Sequence, residues 1–219
     1  MTFNEYKQLA EKFNIQENIK YAVFADFEES EFEYVSYISI DDLNIKFYRD
    51  RSIAETLFIN CFDIEEYTLC KLLRVLILCN IKNFTSFTIA KNLNDNKGLI
   101  CGDHINFTGR NFLRGKNIEE FGPRFPDATK IYKNSFSEKL ALEYGSVVCL
   151  GTFAGFPATF AEEEAYRRLG ADVYCNKMIQ LALTAAHADL PFTTIFFHYS
   201  DKSSPVIPKE YMIKFLKQR

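Results

Sequence analysis

The sequence has no tryptophan, few histidines and no C-x-x-C pair of cysteines. Zinc sites usually combine closely spaced cysteines and histidines, so these absences argue against a metal site. Most of the cysteines lie inside apolar runs such as LILCN and VVCL, which is typical of small buried side chains in a reducing compartment. We therefore expect a cytoplasmic protein without a metal site. The residues concerned are Cys61, Cys70, Cys79, Cys101, Cys149 and Cys175, with His104, His187 and His198.

Long apolar runs and a strong charge of one sign are also missing. No run approaches the about 18 residues that a membrane-spanning helix needs. The first residues, MTFNEYKQLAEKF, form a polar amphipathic stretch and not a signal peptide. A formal net charge of -3 provides no field that would attract a phosphate backbone. We therefore expect neither a membrane nor a nucleic acid as a partner.

The 219 residues are 47% hydrophobic and 25% charged, which is ordinary for a globular chain. In the second half, β-type segments alternate with helical segments, and this pattern predicts βαβ crossovers and a mostly parallel sheet. Strand candidates cluster at 21–61, which implies an antiparallel or mixed portion. Since there is no repeat, low-complexity segment or linker, we predict one α/β domain over 1–219. The predicted strands are 21–26, 34–40, 44–48, 56–61, 84–89, 98–101, 146–153, 172–175 and 192–200. The predicted helices are 3–13, 65–80, 136–144, 161–172, 176–190 and 208–217.

Residues 102–115, GDHINFTGRNFLRG, are predicted to be a loop, and the chain continues through FGPRF at 121–125. Loops longer than about a dozen residues are usually functional or disordered. This segment carries several aromatic and aliphatic side chains that need burial. We therefore expect an ordered loop that contacts another surface.

The segment GDHINFTGRNFLRG…FGPRFPDATKIY resembles the trimeric purine nucleoside phosphorylases, in which D-H-I-N, N-P-L-x-G and F-G-x-R-F follow in this order. LRVLILCNIKNF, YRRLGADVY and AAHADLPF resemble further family segments, so the resemblance covers about 57–200. It implies a three-layer fold with a central mixed, largely parallel sheet flanked by helices, assembled as a homotrimer. It also implies a glycosyltransferase reaction, the phosphorolysis of inosine or guanosine to a free purine and ribose 1-phosphate, without a metal or cofactor.

In that family, the Phe of the G-x-R-F motif reaches across the subunit interface and covers the neighbour's ribose. The corresponding residue here is Phe125. The resemblance thus implies that the loop at 109–126 packs on a second subunit. The alternative is that Phe125 is buried within its own chain.

The phosphate-binding motifs of the family are replaced. The G-S-G loop after the first strand becomes ADFEESE, and its carboxylates would repel a phosphate dianion. The family's R-x-H-x-Y-E falls on 57–62, where the Arg, the His, the Tyr and the Glu of the motif are all replaced. FTIAKNLN keeps a single residue at the phosphate-binding amide, and that residue reads better as an ordinary strand end. The carboxylates in the first loop are those of Glu28, Glu29 and Glu31. The residues at R-x-H-x-Y-E are Leu57, Ile59, Cys61 and Phe62, and the residue at the phosphate-binding amide is Ala90.

The purine-binding motifs are replaced as well. Counting back from Gly170 puts Ala158 at the family's base-binding Glu, and allowing a gap puts Ala161 there. Glu162 and Glu163 could substitute after a loop shift, but they read better as acids of a first helical turn. G-M-S becomes Cys175-Asn176-Lys177, and the later T-N becomes Tyr199-Ser200. No catalytic residue is retained, and Phe125 and Ala90 are the candidate substrate-binding positions.

These substitutions leave two functions open. The first is a purine nucleoside phosphorylase-like pseudoenzyme with a binding or assembly role, for which a purine nucleoside and phosphate are the candidate ligands. The second is a phosphorylase- or hydrolase-type enzyme with a remodelled pocket that uses Lys177, Asn176, Ser200 or the acidic cluster at 28–31 on another substrate. A third reading is a subunit that joins trimers of an active paralogue and lends Phe125 to its neighbour.

Overall fold

The computed structural model describes residues 1–13, 18–153, 157–199 and 206–219. The helices are α1 (Phe3–Lys12), α2 (Glu66–Leu78), α3 (Ser135–Tyr144), α4 (Phe160–Arg168), α5 (Ile179–His187) and α6 (Lys209–Leu216). The strands are β1 (Tyr21–Ala25), β2 (Glu33–Ile40), β3 (Leu43–Asp50), β4 (Ile53–Asn60), β5 (Asn83–Asn92), β6 (Ile100–Phe107), β7 (Ser146–Thr152), β8 (Val173–Cys175) and β9 (Phe192–His198). Within these ranges, no helix is long and apolar enough to cross a membrane.

All the strands belong to one 9-stranded mixed sheet with the order β2-β3-β4-β1-β5-β8-β7-β6-β9. β1 runs parallel to β4 and β5, and β5 runs parallel to β9. The pairs β2–β3 and β3–β4 are antiparallel, which confirms the mixed portion predicted at 21–61. Because β9 also pairs with β5, the strands β5, β8, β7, β6 and β9 close into a ring.

Helices cover both faces of the sheet. Successive side chains of a strand point to opposite faces. In β1, Phe24 accordingly belongs to the core beneath α1, α2 and α5, whereas Val23 belongs to the core beneath α3 and α6. Leu72 of α2 and Phe215 of α6, both fully buried, mark these two cores. The fold is therefore the predicted three-layer α/β arrangement.

Three of the helices begin with side-chain caps that the sequence supplies locally. α1, α3 and α4 start after Thr2, Asn134 and Thr159, and each of these side chains accepts a hydrogen bond from the third helical amide. Such caps satisfy amides that have no partner inside the helix. α4 ends just before Gly170, whose φ of 91° is accessible to glycine at little cost. α4 thus ends before the predicted bound at 172.

Several boundaries differ from the sequence-based prediction, and the structure explains two of them. Residues 102–107, predicted as loop, are strand, because β6 pairs with β7 from Ile100 to Phe107. The parallel ladder thus outweighs the low strand preference of the Gly, Asp and Asn residues in this segment. α5 begins at Ile179 and not at 176, because Met178 has a left-handed φ of 101° that interrupts the helix.

Candidate functional site

The candidate site lies where the carboxyl ends of β1, β4 and β5 meet, the edge at which open α/β sheets usually bind ligands. Asp26 follows β1, Cys61 follows β4, and Thr88 and Ile89 lie in β5. The turn at 176–178, between β8 and α5, lies against the same cavity. We call this region the strand-end site.

A side chain from the turn at 176–178 crosses the strand-end site. The Nζ atom of Lys177 lies 3.1 Å and 3.3 Å from the two carboxylate oxygens of Asp26 and donates a 2.8 Å hydrogen bond to the carbonyl oxygen of Cys61. The side chains of Lys177 and Asp26 are 27% and 19% exposed. The sequence offered Lys177 as a residue of a remodelled pocket, and the structure shows it in a largely buried ion pair.

Little space remains beside this ion pair. The cavity of the strand-end site has a volume of about 30 Å³. That is about the space one water molecule occupies in the liquid, whereas ligand pockets usually measure about 300–1,000 Å³. The cavity formed by the described residues is therefore far smaller than a nucleoside and a phosphate together.

The turn that carries Lys177 is fixed by a buried carboxylate. Glu66, the first residue of α2, accepts hydrogen bonds from the backbone amides of Met178 and Gln180 at 2.6 Å and 3.0 Å. Burial raises the pKa of Glu66 to about 7, against the opposing effect of the hydrogen bonds from these amides. Sequence reasoning noted Glu66 only as a favourable acid at a helix start. Its contact with α5 spans 112 residues of sequence, so no local pattern could have revealed it.

The residues at the family's phosphate-binding positions provide no cation. Leu57, Ile59 and Cys61 are buried in the core, and Phe62 is 48% exposed. Burial raises the pKa of the Cys61 thiol far above its ordinary value, which keeps it neutral at physiological pH. Lys177 is therefore the cationic side chain that lines the cavity, and Asp26 already neutralises it.

The acidic cluster at 28–31 lies outside the lining of the cavity. Glu28 and Glu31 are exposed. Glu29 forms a 2.9 Å ion pair with Lys46 of β3 and accepts a 3.3 Å hydrogen bond from Asn60. These carboxylates are thus solvated or paired with β3 and β4.

The residues at the family's base-binding position contribute no free carboxylate. The backbone amide of Ala158 donates a 2.9 Å hydrogen bond to the hydroxyl of Tyr174, and Ala161 is exposed. Glu162 occupies the first turn of α4, as predicted, where it completes the cap with Thr159. Neither of the two alignments, with Ala158 or with Ala161, places a hydrogen-bonding side chain at the base-binding position.

Glu163 is less exposed than a first-turn helix acid usually is. It is buried, lies 2.9 Å from Nζ of Lys91, and accepts a 2.9 Å hydrogen bond from the hydroxyl of Tyr174. Burial alone would raise the pKa of Glu163, but the hydrogen bonds from Lys91 and Tyr174 outweigh it and lower the pKa. Sequence reasoning missed this network because Lys91 lies on a distant strand.

The loop at 109–126 is anchored at one end and exposed at the other. Phe121 is buried against the ring of Tyr6, at a centroid distance of 5.4 Å, and the guanidinium of Arg74 lies over Phe121 and Phe112 at 5.0 Å and 4.8 Å. Phe125, in contrast, is 86% exposed. The alternative that Phe125 is buried within its own chain is therefore wrong.

Ala90 is fully buried within β5, which continues to Asn92. Its carbonyl oxygen accepts a 2.7 Å hydrogen bond from the amide of Tyr199. It is therefore not the strand-end residue that sequence reasoning offered as the alternative. Ser200 lies outside the described residues.

Each of the histidines contacts a different part of the chain. His104 Nδ1 lies 2.9 Å from the hydroxyl of Tyr132, and His187 Nε2 lies 3.0 Å from Oδ1 of Asn117. His198 pairs with β5 at the end of β9. Among the residues that the structure describes, no group of three His, Cys, Asp or Glu side chains could hold a metal ion.

Known proteins resemble this chain in sequence and in fold. Purine nucleoside phosphorylase 1 of Bacillus subtilis (strain 168) is 32% identical over 99 residues, which are 42% of this chain and 36% of that protein. Purine nucleoside phosphorylase of Mus musculus is 31% identical over 147 residues, 58% of this chain and 50% of that protein. The chain is related to the purine nucleoside phosphorylases. No protein-family model matches the sequence.

The fold agrees over nearly the whole length. The crystal structure of Schistosoma purine nucleoside phosphorylase in complex with hypoxanthine superimposes with a TM-score of 0.78 at 18% identity, covering 99% of this chain and 96% of that chain. In sequence, the matches span only 36% to 50% of the length of the two curated relatives. Their names therefore do not assign an activity to this chain.

Proposed function

We propose that this purine nucleoside phosphorylase-like protein has lost phosphorolysis and has a binding or assembly role. The observation that carries the proposal is the ion pair between Lys177 and Asp26 in a cavity of about 30 Å³. A phosphate dianion entering this site would meet the carboxylate of Asp26 and compete with it for Lys177. Attraction to one cation is then offset by repulsion from one anion at nearly the same distance.

The replacement of the family's substrate-binding residues also supports a loss of phosphorolysis. Removing one hydrogen-bond donor that stabilises a transition state typically lowers the rate by about 10²–10³. The family resemblance implies losses at the phosphate-binding and the base-binding positions together. Such losses are not additive, but the remaining turnover should be close to background.

A homotrimer built from one domain over 1–219, located in the cytoplasm, is part of the proposal. Its support is the contrast between the anchored Phe121, which is 6% exposed, and Phe125, which is 86% exposed. A large exposed aromatic on an ordered loop is favourable when a partner surface covers it. In the proposed trimer, Phe125 lies over the neighbour's strand-end site, and Ala90 keeps the family's amide position. The same geometry would allow Phe125 to serve an active paralogue in a mixed trimer.

The alternative is an active enzyme with a remodelled pocket. One observation favours it: Glu66 has a pKa of about 7 and holds the turn that carries Asn176 and Lys177. Strongly perturbed carboxyl groups in clefts are often catalytic. Here the Glu66 carboxylate accepts hydrogen bonds from two backbone amides, which is the arrangement of a structural cap.

The test is an assay of inosine with millimolar phosphate that follows the release of hypoxanthine, with the Bacillus subtilis relative as a positive control. We expect no release above the rate without protein. Turnover of about 1 s⁻¹ or more, the low end of ordinary enzymes, would contradict the proposal. A panel of other nucleosides, each with phosphate and with water alone, separates the remodelled enzyme from the inactive protein.

A further inference from the structure

A second cavity opens at the other edge of the sheet, at the amino ends of β1, β5 and β9. Its volume of about 280 Å³ is roughly nine times the volume of the cavity at the strand-end site, which is about 30 Å³. The lining includes Tyr21, Thr85, Asn134, Phe136, Lys139 and Arg219. None of these residues lines the strand-end site. We call this region the amino-edge cavity.

The described residues that line the amino-edge cavity include two cationic side chains, Arg219 and Lys139, and none of these described residues is an Asp or Glu. Lys139 donates a 2.6 Å hydrogen bond to the backbone oxygen of Gln218, which fixes its ammonium group beside the residues that follow α6. Two cationic side chains on a concave surface raise the local potential, which favours an anion.

Arg219 is held in a geometry that suits an oxyanion. Its guanidinium lies 4.4 Å from the ring centroid of Tyr21 and 5.5 Å from that of Phe136. Its Nη2 donates a 2.9 Å hydrogen bond to the hydroxyl of Thr85, and Nη1 lies 3.4 Å from the hydroxyl of Thr56.

A guanidinium has five N–H donors, so these two neutral hydroxyls leave others for a ligand. Its planar fork matches a carboxylate or phosphate with two parallel hydrogen bonds. The aromatic contacts restrict the side chain in advance, which lowers the entropy lost on binding. Arg219 as a whole is exposed, but the packing of its guanidinium against the two rings removes water from it and lowers its pKa to about 10, so the group remains charged at neutral pH.

We propose that the amino-edge cavity binds a small organic anion, whose carboxylate or phosphate group is held by Arg219 and Lys139. The apolar part of the ligand lies against Phe84 and Phe136, which line the same cavity. The volume of about 280 Å³ admits a single ring with its acidic group and excludes a nucleotide with several phosphates. This site is separate from the strand-end site and does not depend on phosphorolysis.

The experiment is calorimetric titration of the full chain with phenyl phosphate and with benzoate, using benzyl alcohol as the neutral counterpart. We expect at least one of the two anions to bind saturably, and the neutral compound to bind at least about tenfold more weakly, because a hydrogen bond to a charged group contributes more than one to a neutral group. The tighter of the two anions tells whether the ligand carries a phosphate or a carboxylate.

Variants locate the site. Arg219→Gln should weaken anion binding by about tenfold or more, whereas Lys217→Gln, an exposed cation two residues away, should leave the affinity unchanged. Lys177→Met should also leave it unchanged, because Lys177 lies in the strand-end site.

Three results would overturn the proposal. The first is no binding of either anion at about 10 mM, where a site with a Kd of about 1 mM would be about nine-tenths occupied. The second is equal affinity in Arg219→Gln and the unaltered protein. The third is loss of binding in Lys177→Met, which would place the anion in the strand-end site.

Discussion

Lys177→Met removes the cation from the strand-end site while keeping a side chain of similar length. It leaves Asp26 without its ion pair and the carbonyl of Cys61 without the hydrogen bond from Nζ. Breaking a fully buried pair costs about 3–5 kcal/mol, and exposed pairs contribute less than about 1 kcal/mol. With side chains 27% and 19% exposed, this pair lies between those limits, at about 2 kcal/mol.

The expected loss is measurable by thermal unfolding. For a chain of this length, 1 kcal/mol corresponds to about 2–4 °C in Tm, so the variant should unfold about 4–8 °C below the unaltered protein. Lys133→Met, at an exposed lysine, is the matched control and should change Tm little.

A double-mutant cycle with Asp26→Asn isolates the pair from other effects of each substitution. The two single variants should together lose about 1–2 kcal/mol more than the double variant loses, because residues in contact do not contribute independently. A drop in Tm of less than about 1 °C for Lys177→Met, or strict additivity in the cycle, would refute the assignment of a stabilising ion pair.

Three further outcomes follow from the same contacts. Asp26→Asn should free Lys177, so that millimolar phosphate raises the Tm of this variant but not of the unaltered protein; no phosphate effect on the variant would contradict the view that Asp26 blocks an anion site. Because burial raises the pKa of Glu66 from 4.5 to about 7, the stability that Glu66 contributes should be fully present below the lower value and be lost as pH rises towards 7. Glu66→Gln should flatten that profile, whereas Glu65→Gln, at an exposed site, should not; equal slopes in all three proteins would be the contrary result. Phe125→Ala should shift sedimentation towards a smaller species without lowering the helix content, and an unchanged sedimentation coefficient would exclude Phe125 from the interface.

The strands and helices were largely predictable because their side chains alternate or recur with the period of the element. β6 was the exception over 102–107, where Gly102, Asp103 and Asn106 resemble a loop. What makes this segment a strand is its ladder with β7, about 40 residues later, and local preference carries no record of such a partner. The order of the strands likewise needed the family resemblance.

In the strand-end site, the sequence revealed which residue types were absent but not what took their place. The side chains at Leu57 and Ile59 could be recognised as unable to bind phosphate. The link between Lys177 and Asp26 spans 151 residues, and the buried position of Glu163 depends on Lys91 of β5. Pairing of charges is a property of the folded chain, and a lysine beside a strand looks the same in sequence whether it is solvated or paired.

The ring formed by β5, β8, β7, β6 and β9 has a consequence for self-association. A closed ring has no terminal strand, so β2 is the one described strand that pairs with a single neighbouring strand. Exposed edge strands can template aggregation through their unpaired amides and carbonyls. β2 carries a register shift between Tyr34 and Ser36, and such a bulge bends an edge and hinders pairing with another chain. Residues 33–40 are therefore where a substitution that straightens the strand would most readily lead to fibres.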